Sequence, residues 1–282
     1  MINYYLLTKP KIVLGNLVTL AAGFLLASKG TIDFLLFFET LFGLSLIMAS
    51  ACVFNNYIDR QMDKKMERTK NRALVTGLIS PRNALLFATL LEILGTAILY
   101  FFTNLLTVYV AAFGFFVYVI LYSLWKRHTI YGTAIGSVAG AIPPVVGYCA
   151  VSNHFDMGAT ILFTLLVLWQ MPHFFAIALY HFDDYSAAGI PVLPIVKGIS
   201  RTKIHMIIYV ISFVLAAVML TFFNYTGYIY LAVTTLVGLA WIWLSMQGFK
   251  NQNDQLWGKK MYQLSLLMII SLCLVIPFDI VS

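Results

Sequence analysis

The sequence predicts an all-α, polytopic membrane protein with nine transmembrane helices in one bundle and a parallel internal repeat of four helices. Three observations lead there. Hydrophobic residues make up 61% of the chain and charged residues only 10%, with a mean hydropathy of +0.88. A soluble domain is about 45–50% apolar, so a water-solvated globule is excluded. Apolar runs long enough to cross about 30 Å of hydrocarbon recur along the whole length, and the charges gather in alternate connections.

In order, the runs are 12–28, 34–56, 83–103, 105–124, 130–151, 157–181, 204–223, 228–247 and 261–281. The first follows Thr8-Lys9-Pro10-Lys11 and carries Gly15, Asn16 and Gly23, small and amide residues suited to close packing between helices. Asn16 is expected to act as packing glue or to support a site behind its ligands. The second run ends in the polar stretch Asn55 to Arg72. Ser80-Pro81 then starts the third, with Ser as N-cap and Pro in the first turn. Glu92 lies mid-span, where a carboxyl is costly unless it faces the protein interior; a substrate contact and a paired interior acid are both open. Thr103-Asn104 separates the third and fourth runs, and the charges at either end require two crossings. The last three runs carry almost no charge and read as scaffold. Phe222, Phe223, Tyr225, Tyr228, Tyr230, Trp241, Trp243 and Trp257 read as interfacial anchors.

Of the 18 Lys and Arg residues, all but Lys29 fall on one side of the nine spans. The positive-inside rule makes that side the cytoplasm, with the N-terminus inside and the C-terminus outside. The charge of +7 is thereby explained without a nucleic-acid partner. Cys52, Cys149 and Cys273 all lie inside spans with no CxxC spacing, so neither a disulfide framework nor a thiolate metal site is expected. No cleaved signal or transit peptide is expected before the first span, and a bacterial plasma (inner) membrane is the expected location.

The polar chemistry is concentrated in N-N-Y-I-D-R-Q-M-D-K-K-M-E-R-T-K-N-R, residues 55 to 72. Asn55, Asp59 and Asp63 recur every four residues and share one helix face. Oxygen donors so placed suit Mg²⁺, which takes one or two carboxylates plus substrate phosphates. Arg68 and Arg72 supply guanidinium forks for those phosphates. The competing reading is a solvated loop of mixed charge. A second acidic set, Asp183 and Asp184, stands after the sixth span. Gly132 and Gly140 echo Gly15 and Gly23, and Val75-Thr76-Gly77-Leu78-Ile79-Ser80 echoes Val196-Lys197-Gly198-Ile199-Ser200. One domain over 1–282 is expected, with halves at about 10–125 and 126–248 plus a ninth helix at 261–281. Four spans separate the copies, so both acidic sets open on the same side, with a shared site between halves. Two such sets with basic residues among them match a diphosphate held through Mg²⁺ and clamped by Arg or Lys.

The Asn55-x3-Asp59-x3-Asp63 pattern on nine spans resembles the intramembrane prenyltransferase superfamily of UbiA type. Within it, Asn71-Arg72-Ala73-Leu74-Val75-Thr76-Gly77, Trp169-Gln170-Met171-Pro172-His173-Phe174 and Asp183-Asp184-Tyr185-x2-Ala188-Gly189-Ile190-Pro191-x-Leu193-Pro194 resemble the protohaem IX farnesyltransferase (haem O synthase) family, over nearly the whole chain. The resemblance implies transfer of farnesyl from farnesyl diphosphate to a vinyl group of haem b, with addition of water. It further implies Mg²⁺ as cofactor and Asn55, Asp59, Asp63, Asp183 and Asp184 as catalytic residues, with Asp59, Asp63 and Asp184 on metal. Arg68, Arg72, Lys126 and Lys197 would hold the diphosphate. His173, after Pro172 in a membrane helix, is the candidate haem contact, as axial ligand or propionate donor; a packed histidine is the alternative. The lipid bilayer is the medium, and product would pass to haem A synthase or a terminal oxidase. Two rivals remain: a prenyltransferase of aromatic or quinone precursors, and a haem or lipid transporter.

Overall fold

A computed structural model describes residues 2–281; Met1 and Ser282, the ends of the expected single domain, lie outside it. Among the described residues nine helices are long and apolar enough to cross a membrane. A single isolated bridge, Thr226 to Ile280, is the extent of β-structure among them. The short α1 (Ile2–Leu7) precedes α2 (Pro10–Ser28), the first span, which opens on Pro10 after a left-handed Lys9. The second span, α3 (Phe34–Asp63), begins at an Asp33 cap that accepts from the Leu36 N–H, and runs seven residues past the apolar run to include the whole Asn55–Asp63 face. Ser80 caps α4 (Pro81–Phe102) as expected, and Asn104 caps α5 (Leu105–Phe116). Two helices therefore replace one continuous rod at Thr103-Asn104.

Two spans are irregular. The fourth continues from α5 through a π-helical turn, Val117–Tyr122, into α6 (Ser123–Trp125). The fifth is broken into α7 (Gly132–Gly140) and α8 (Ile142–Ser152), with Pro143 and Pro144 in the first turn of α8. The sixth, α9 (Met157–Tyr180), stays helical through Pro172 and is followed by α10 (Phe182–Ala187) and α11 (Leu193–Val196). The seventh to ninth spans start with α12 (Ile199–Phe222), α13 (Tyr228–Gln247) and α14 (Asp254–Val275). Gly77 and Gly198, in the connections before α4 and α12, both adopt positive φ, +80° and +84°, a conformation that glycine alone enters without cost.

The core lies along α9, which packs on α7, α8, α12 and α14. Leu162, Leu165, Phe175, Ala176 and Leu179 are buried there against Met206, Val210 and Phe213 of α12 and Met268 and Leu272 of α14. The first span lies against α8 so closely that a methyl group on Gly23 would strike the Pro144 carbonyl, and one on Gly147 the Leu20 carbonyl. The outer surface is apolar instead of polar: Phe34, Leu35, Phe38 and Phe42 on α3 and Leu86, Leu90 and Ile93 on α4 are exposed. Contiguous apolar surface of this extent needs lipid to cover it.

Two expectations fail at this level. Asn16 neither bridges helices nor reaches a site; its Nδ2 donates to the Ile12 carbonyl of its own helix at 2.9 Å. Tyr230, Trp241 and Trp257 are fully buried rather than interfacial, whereas Phe222, Phe223, Tyr228 and Trp243 are exposed. Tyr230 and Trp257 can enter the core because their polar atoms find carbonyls, Tyr230 Oη at Ala217 and Trp257 Nε1 at Leu244. Glu92, whose role the sequence left open, is half-buried at the edge of a groove of about 440 Å³ lined by Ile93, Thr96, Ala97, Tyr100 and Phe101. Its Oε1 accepts from Thr96 Oγ1 at 3.4 Å, and Oε2 is buried without a hydrogen-bond partner among the described residues.

Candidate active site

At the end of the bundle where α2 begins and α3 ends, α3 turns Asn55, Asp59 and Asp63 into the protein, each less than a tenth exposed. The four-residue spacing thus produces one buried face. Each group on it is held by a cation or hydroxyl from elsewhere in the chain. Lys9 Nζ donates to Asn55 Oδ1 at 2.6 Å, and Asn55 Nδ2 donates to Ser123 Oγ at 3.0 Å. Asp59 is paired with Lys126 through Oδ2 and with Arg127 Nη2 through Oδ1 at 3.2 Å. Arg127 Nη2 also donates to the Ile58 carbonyl. Asp63 Oδ2 accepts from Arg72 Nη1 at 2.7 Å, and the same nitrogen reaches Asn56 Oδ1 at 3.1 Å. Asn56 completes the clamp by donating to the Leu7 carbonyl at 2.8 Å, which ties α1 to α3.

Local backbone explains why the cations arrive there. The π turn carries Tyr118 and Tyr122, stacked at 5.4 Å and 21°, and Ser123 Oγ donates to the Tyr118 carbonyl five residues back. Wide turns of this kind gather at functional sites. This one sets Ser123 and the following Lys126 and Arg127 toward α3. Lys126 Nζ lies 4.8 Å above the Tyr122 ring. Four cations, Lys9, Arg72, Lys126 and Arg127, therefore surround two carboxylates, which leaves the pocket two positive charges in excess. Burial lowers Lys9 to about 8 from 10.5, helped by the nearby Arg72 and Lys126, and burial also lowers Lys126.

The remaining site residues are distributed more widely. Arg68 and Arg72 do not share a helix; residues 64–79 form turns because the chain leaves α3 at Asp63. Arg68 is exposed, close to His181 and to Tyr185 of α10. Tyr185 is also within electrostatic reach of Tyr122, Lys126 and Asp184, and burial raises its phenol above the usual range. So α10 faces the first cluster. Its two acids diverge: Asp183 is exposed and accepts from Gln255 Nε2 at 3.0 Å, while Asp184 is half-buried and its carboxylate has no hydrogen bond among the described residues. Lys197 is exposed and its ammonium has no partner among the described residues. No three His, Cys, Asp or Glu side chains converge among the described residues, so Asp59, Asp63 and Asp184 are not gathered into one set. The oxygen-only donors Asn55, Asp59 and Asp63 nevertheless fit a hard divalent cation that shares its coordination with phosphate.

His173 lies apart, buried between α9 and α14. Its Nδ1 is 2.7 Å from Ser265 Oγ, and its ring stacks on Trp169 at 4.5 Å and 23° and lies 5.1 Å from Tyr262. The ninth span, expected to be scaffold, thus supplies two of its neighbours. Sequence reasoning missed Lys9, Asn56, Ser123 and Arg127. Lys9 and Arg127 carried a signal, as basic residues beside a span end next to the acidic cluster; nothing local marks Ser123.

The UbiA prenyltransferase family matches residues 16–270. A protoheme IX farnesyltransferase of Protochlamydia amoebophila (strain UWE25) is 58% identical over 283 residues, covering 100% of both chains. One of Serratia proteamaculans (strain 568) is 54% identical over 99% of this chain and 95% of its own. Among solved structures, that of a digeranylgeranylglyceryl phosphate synthase aligns with a TM-score of 0.81 at 19% identity, over 98% of this chain and 96% of that one. A UbiA homolog from Archaeoglobus fulgidus bound to GPP and Mg²⁺ aligns at 0.66 with 17% identity, over 98% and 99%. Those structural likenesses speak for the fold, and the sequence matches for the lineage: the chain belongs to the UbiA prenyltransferase family.

Proposed function

We propose that this transferase moves a farnesyl group from farnesyl diphosphate to a vinyl group of haem b, adding water to give haem O. The observation that carries diphosphate handling is the buried cluster in which four cations surround two carboxylates. An excess of positive charge in a low-dielectric site suits a polyanion. Haem b as acceptor is supported by the shared name of the relatives, protoheme IX farnesyltransferase.

Asp59 and Asp63, with Asn55, would hold Mg²⁺, which when bound supplies neutralisation of the departing diphosphate. Arg72, Lys126 and Arg127 already rest on those carboxylates, so they stand within reach of diphosphate oxygens as the carboxylates turn to metal. Arg68 and Lys197, both exposed, would close over the substrate, and Asp183 and Asp184 would order the opposite wall. As the C–O bond loosens, the electron pair leaves with diphosphate. The vinyl group then attacks the allylic carbon, and water adds to the new cation beside the porphyrin with loss of a proton. Clustered donors aimed at the leaving group act most strongly in that transition state. His173 would contact haem.

The same reading divides the single domain into halves at about 10–125 and 126–248 with a ninth helix after them; the paired positive-φ glycines Gly77 and Gly198 support it. It places the protein in a bacterial inner membrane with the cluster and the N-terminus cytoplasmic, and has product passed to haem A synthase or a terminal oxidase. Purified protein incubated with farnesyl diphosphate, Mg²⁺ and haem b should yield a species weighing haem b plus one farnesyl and one hydroxyl, with the hydroxyl labelled in ¹⁸O-water. Formation of a prenylated hydroxybenzoate instead, or no product from either acceptor, overturns the proposal.

A further inference from the structure

The hydrogen bonds around His173 decide what that residue can offer. Ser265 Oγ lies 2.6 Å from the Tyr262 carbonyl oxygen, one turn earlier on α14, and 2.7 Å from His173 Nδ1. A carbonyl accepts only, and two oxygens stay 2.6 Å apart only with a proton between them. The hydroxyl has one proton, and it is used on Tyr262. Toward His173 the Ser265 oxygen must therefore accept, which puts the imidazole proton on Nδ1. In the neutral ring the other nitrogen, Nε2, then carries a lone pair. No described residue bonds to Nε2.

The ring's orientation is fixed independently. Trp169 stacks on it and anchors its own Nε1 to the Ser265 carbonyl at 2.8 Å. One serine therefore sets the tautomer through its side chain and holds the stacking partner through its backbone. We propose that Ser265 is a positioning residue that holds His173 in the Nδ1–H form and so presents the Nε2 lone pair to the iron of the haem substrate. This rests on the haem reading above and narrows it: a neutral ring protonated on Nδ1 ligates iron through Nε2 and has no proton there to give a propionate. A hydrogen-bond acceptor on the outer nitrogen is the usual means by which a ligating histidine is oriented and made more basic.

The test uses full-length protein in lipid nanodiscs. Haem b is titrated into the wild type and the His173→Ala, Ser265→Ala and Ser265→Thr variants, with the Soret and visible bands recorded, and farnesyl diphosphate binding serves as the control for folding. The wild type should show a nitrogen-ligated spectrum that His173→Ala abolishes. Ser265→Ala should weaken haem binding about 10- to 100-fold and alter the ligation spectrum. Ser265→Thr, which keeps the hydroxyl, should restore both, with farnesyl diphosphate binding unchanged throughout. In the haem-free wild type, ¹⁵N spectra of labelled histidine should show the resonance missing from His173→Ala to be protonated on Nδ1. A proton on Nε2, or a Ser265→Ala variant with wild-type spectrum and affinity while His173→Ala loses both, overturns the positioning role and leaves the haem reading standing. Wild-type haem ligation in His173→Ala overturns the histidine assignment and this inference together, and absence of haem binding in the wild type overturns the acceptor itself.

Discussion

At the residue scale the cluster on α3 behaves as a set of exchangeable partners. Replacing Asp59 by Asn strands Lys126 and Arg127, both of which it now pairs with. Losing one side of a buried ion pair costs on the order of 3 kcal/mol, so the Asp59→Asn variant should unfold earlier in thermal assays. It should also turn over slowly, because a carboxylate proposed to hold metal is gone, yet bind diphosphate without Mg²⁺ at least as well as the wild type. Isothermal titration with and without Mg²⁺ separates these effects, and near-normal turnover would reduce the cluster to a structural ion-pair network. Arg72 uses one nitrogen for Asn56 and Asp63. Arg72→Lys loses the planar fork, and a lost charged hydrogen bond of about 1.5–3 kcal/mol should lower kcat/KM for farnesyl diphosphate about tenfold or more. Lys9 gives a pH dependence. With its value lowered by burial to about 8, it loses its charge as pH rises through 8. kcat/KM for the diphosphate should fall there, and Lys9→Arg should move the limb to higher pH. Stability should move the opposite way: between about 8 and 10.5 the unfolded chain holds the Lys9 proton that the folded chain has released, so folding strengthens as pH rises. Parallel declines in both would show that Lys9 does not control the limb.

At the element scale the π turn Val117–Tyr122 is the device that brings the fourth span to the second. Inserting one alanine between Tyr122 and Ser123 should rotate everything after it by about 100°. Ser123, Lys126 and Arg127 would then leave Asn55 and Asp59. The variant should insert and fold, since only the short Ser123–Trp125 helix follows the turn, but lose prenyl transfer; full activity would show that the phase set by the wide turn is incidental. This element was not legible beforehand. Val-Tyr-Val-Ile-Leu-Tyr reads as uniform hydrocarbon, and nothing in it distinguishes a five-residue from a four-residue hydrogen-bond step. The cluster face was legible because Asn55, Asp59 and Asp63 share one helix, where spacing alone fixes geometry. Its counter-ions come from three other segments, so their arrival depends on packing. The break at Ala141 had a local cause in Gly140 and the two prolines. Arg68 and Arg72 looked helical by spacing, but the chain leaves α3 at Asp63, and turns hold them instead. The burial of Tyr230, Trp241 and Trp257 was hidden for another reason: in a membrane protein apolar residues face both lipid and core, so hydropathy cannot sort them.

At the scale of the whole molecule the reaction requires a sidedness. A diphosphate is water-soluble at its head and membrane-bound at its tail, and the cluster that would receive it sits at one end of the bundle, where nearly all of the basic residues lie. That asymmetry is the basis for proposing that this end lies in the cytoplasm. The three cysteines, Cys52, Cys149 and Cys273, are buried, so they should contribute little background and introduced thiols can report directly. Lys65, Lys197 and Lys259 are exposed at the basic end, and Thr31 and His154 are exposed in connections at the other. With an impermeant maleimide on intact spheroplasts, Thr31→Cys and His154→Cys should label, whereas Lys65→Cys, Lys197→Cys and Lys259→Cys should label only after the membrane is opened. Farnesyl diphosphate added before opening should protect none of them. Added after opening, it should slow labelling of Lys197→Cys if that residue closes over the substrate, and leave Lys259→Cys unaffected. Labelling of the lysine positions from outside would invert the topology and put the diphosphate site on the wrong side of the membrane for a cytoplasmic substrate.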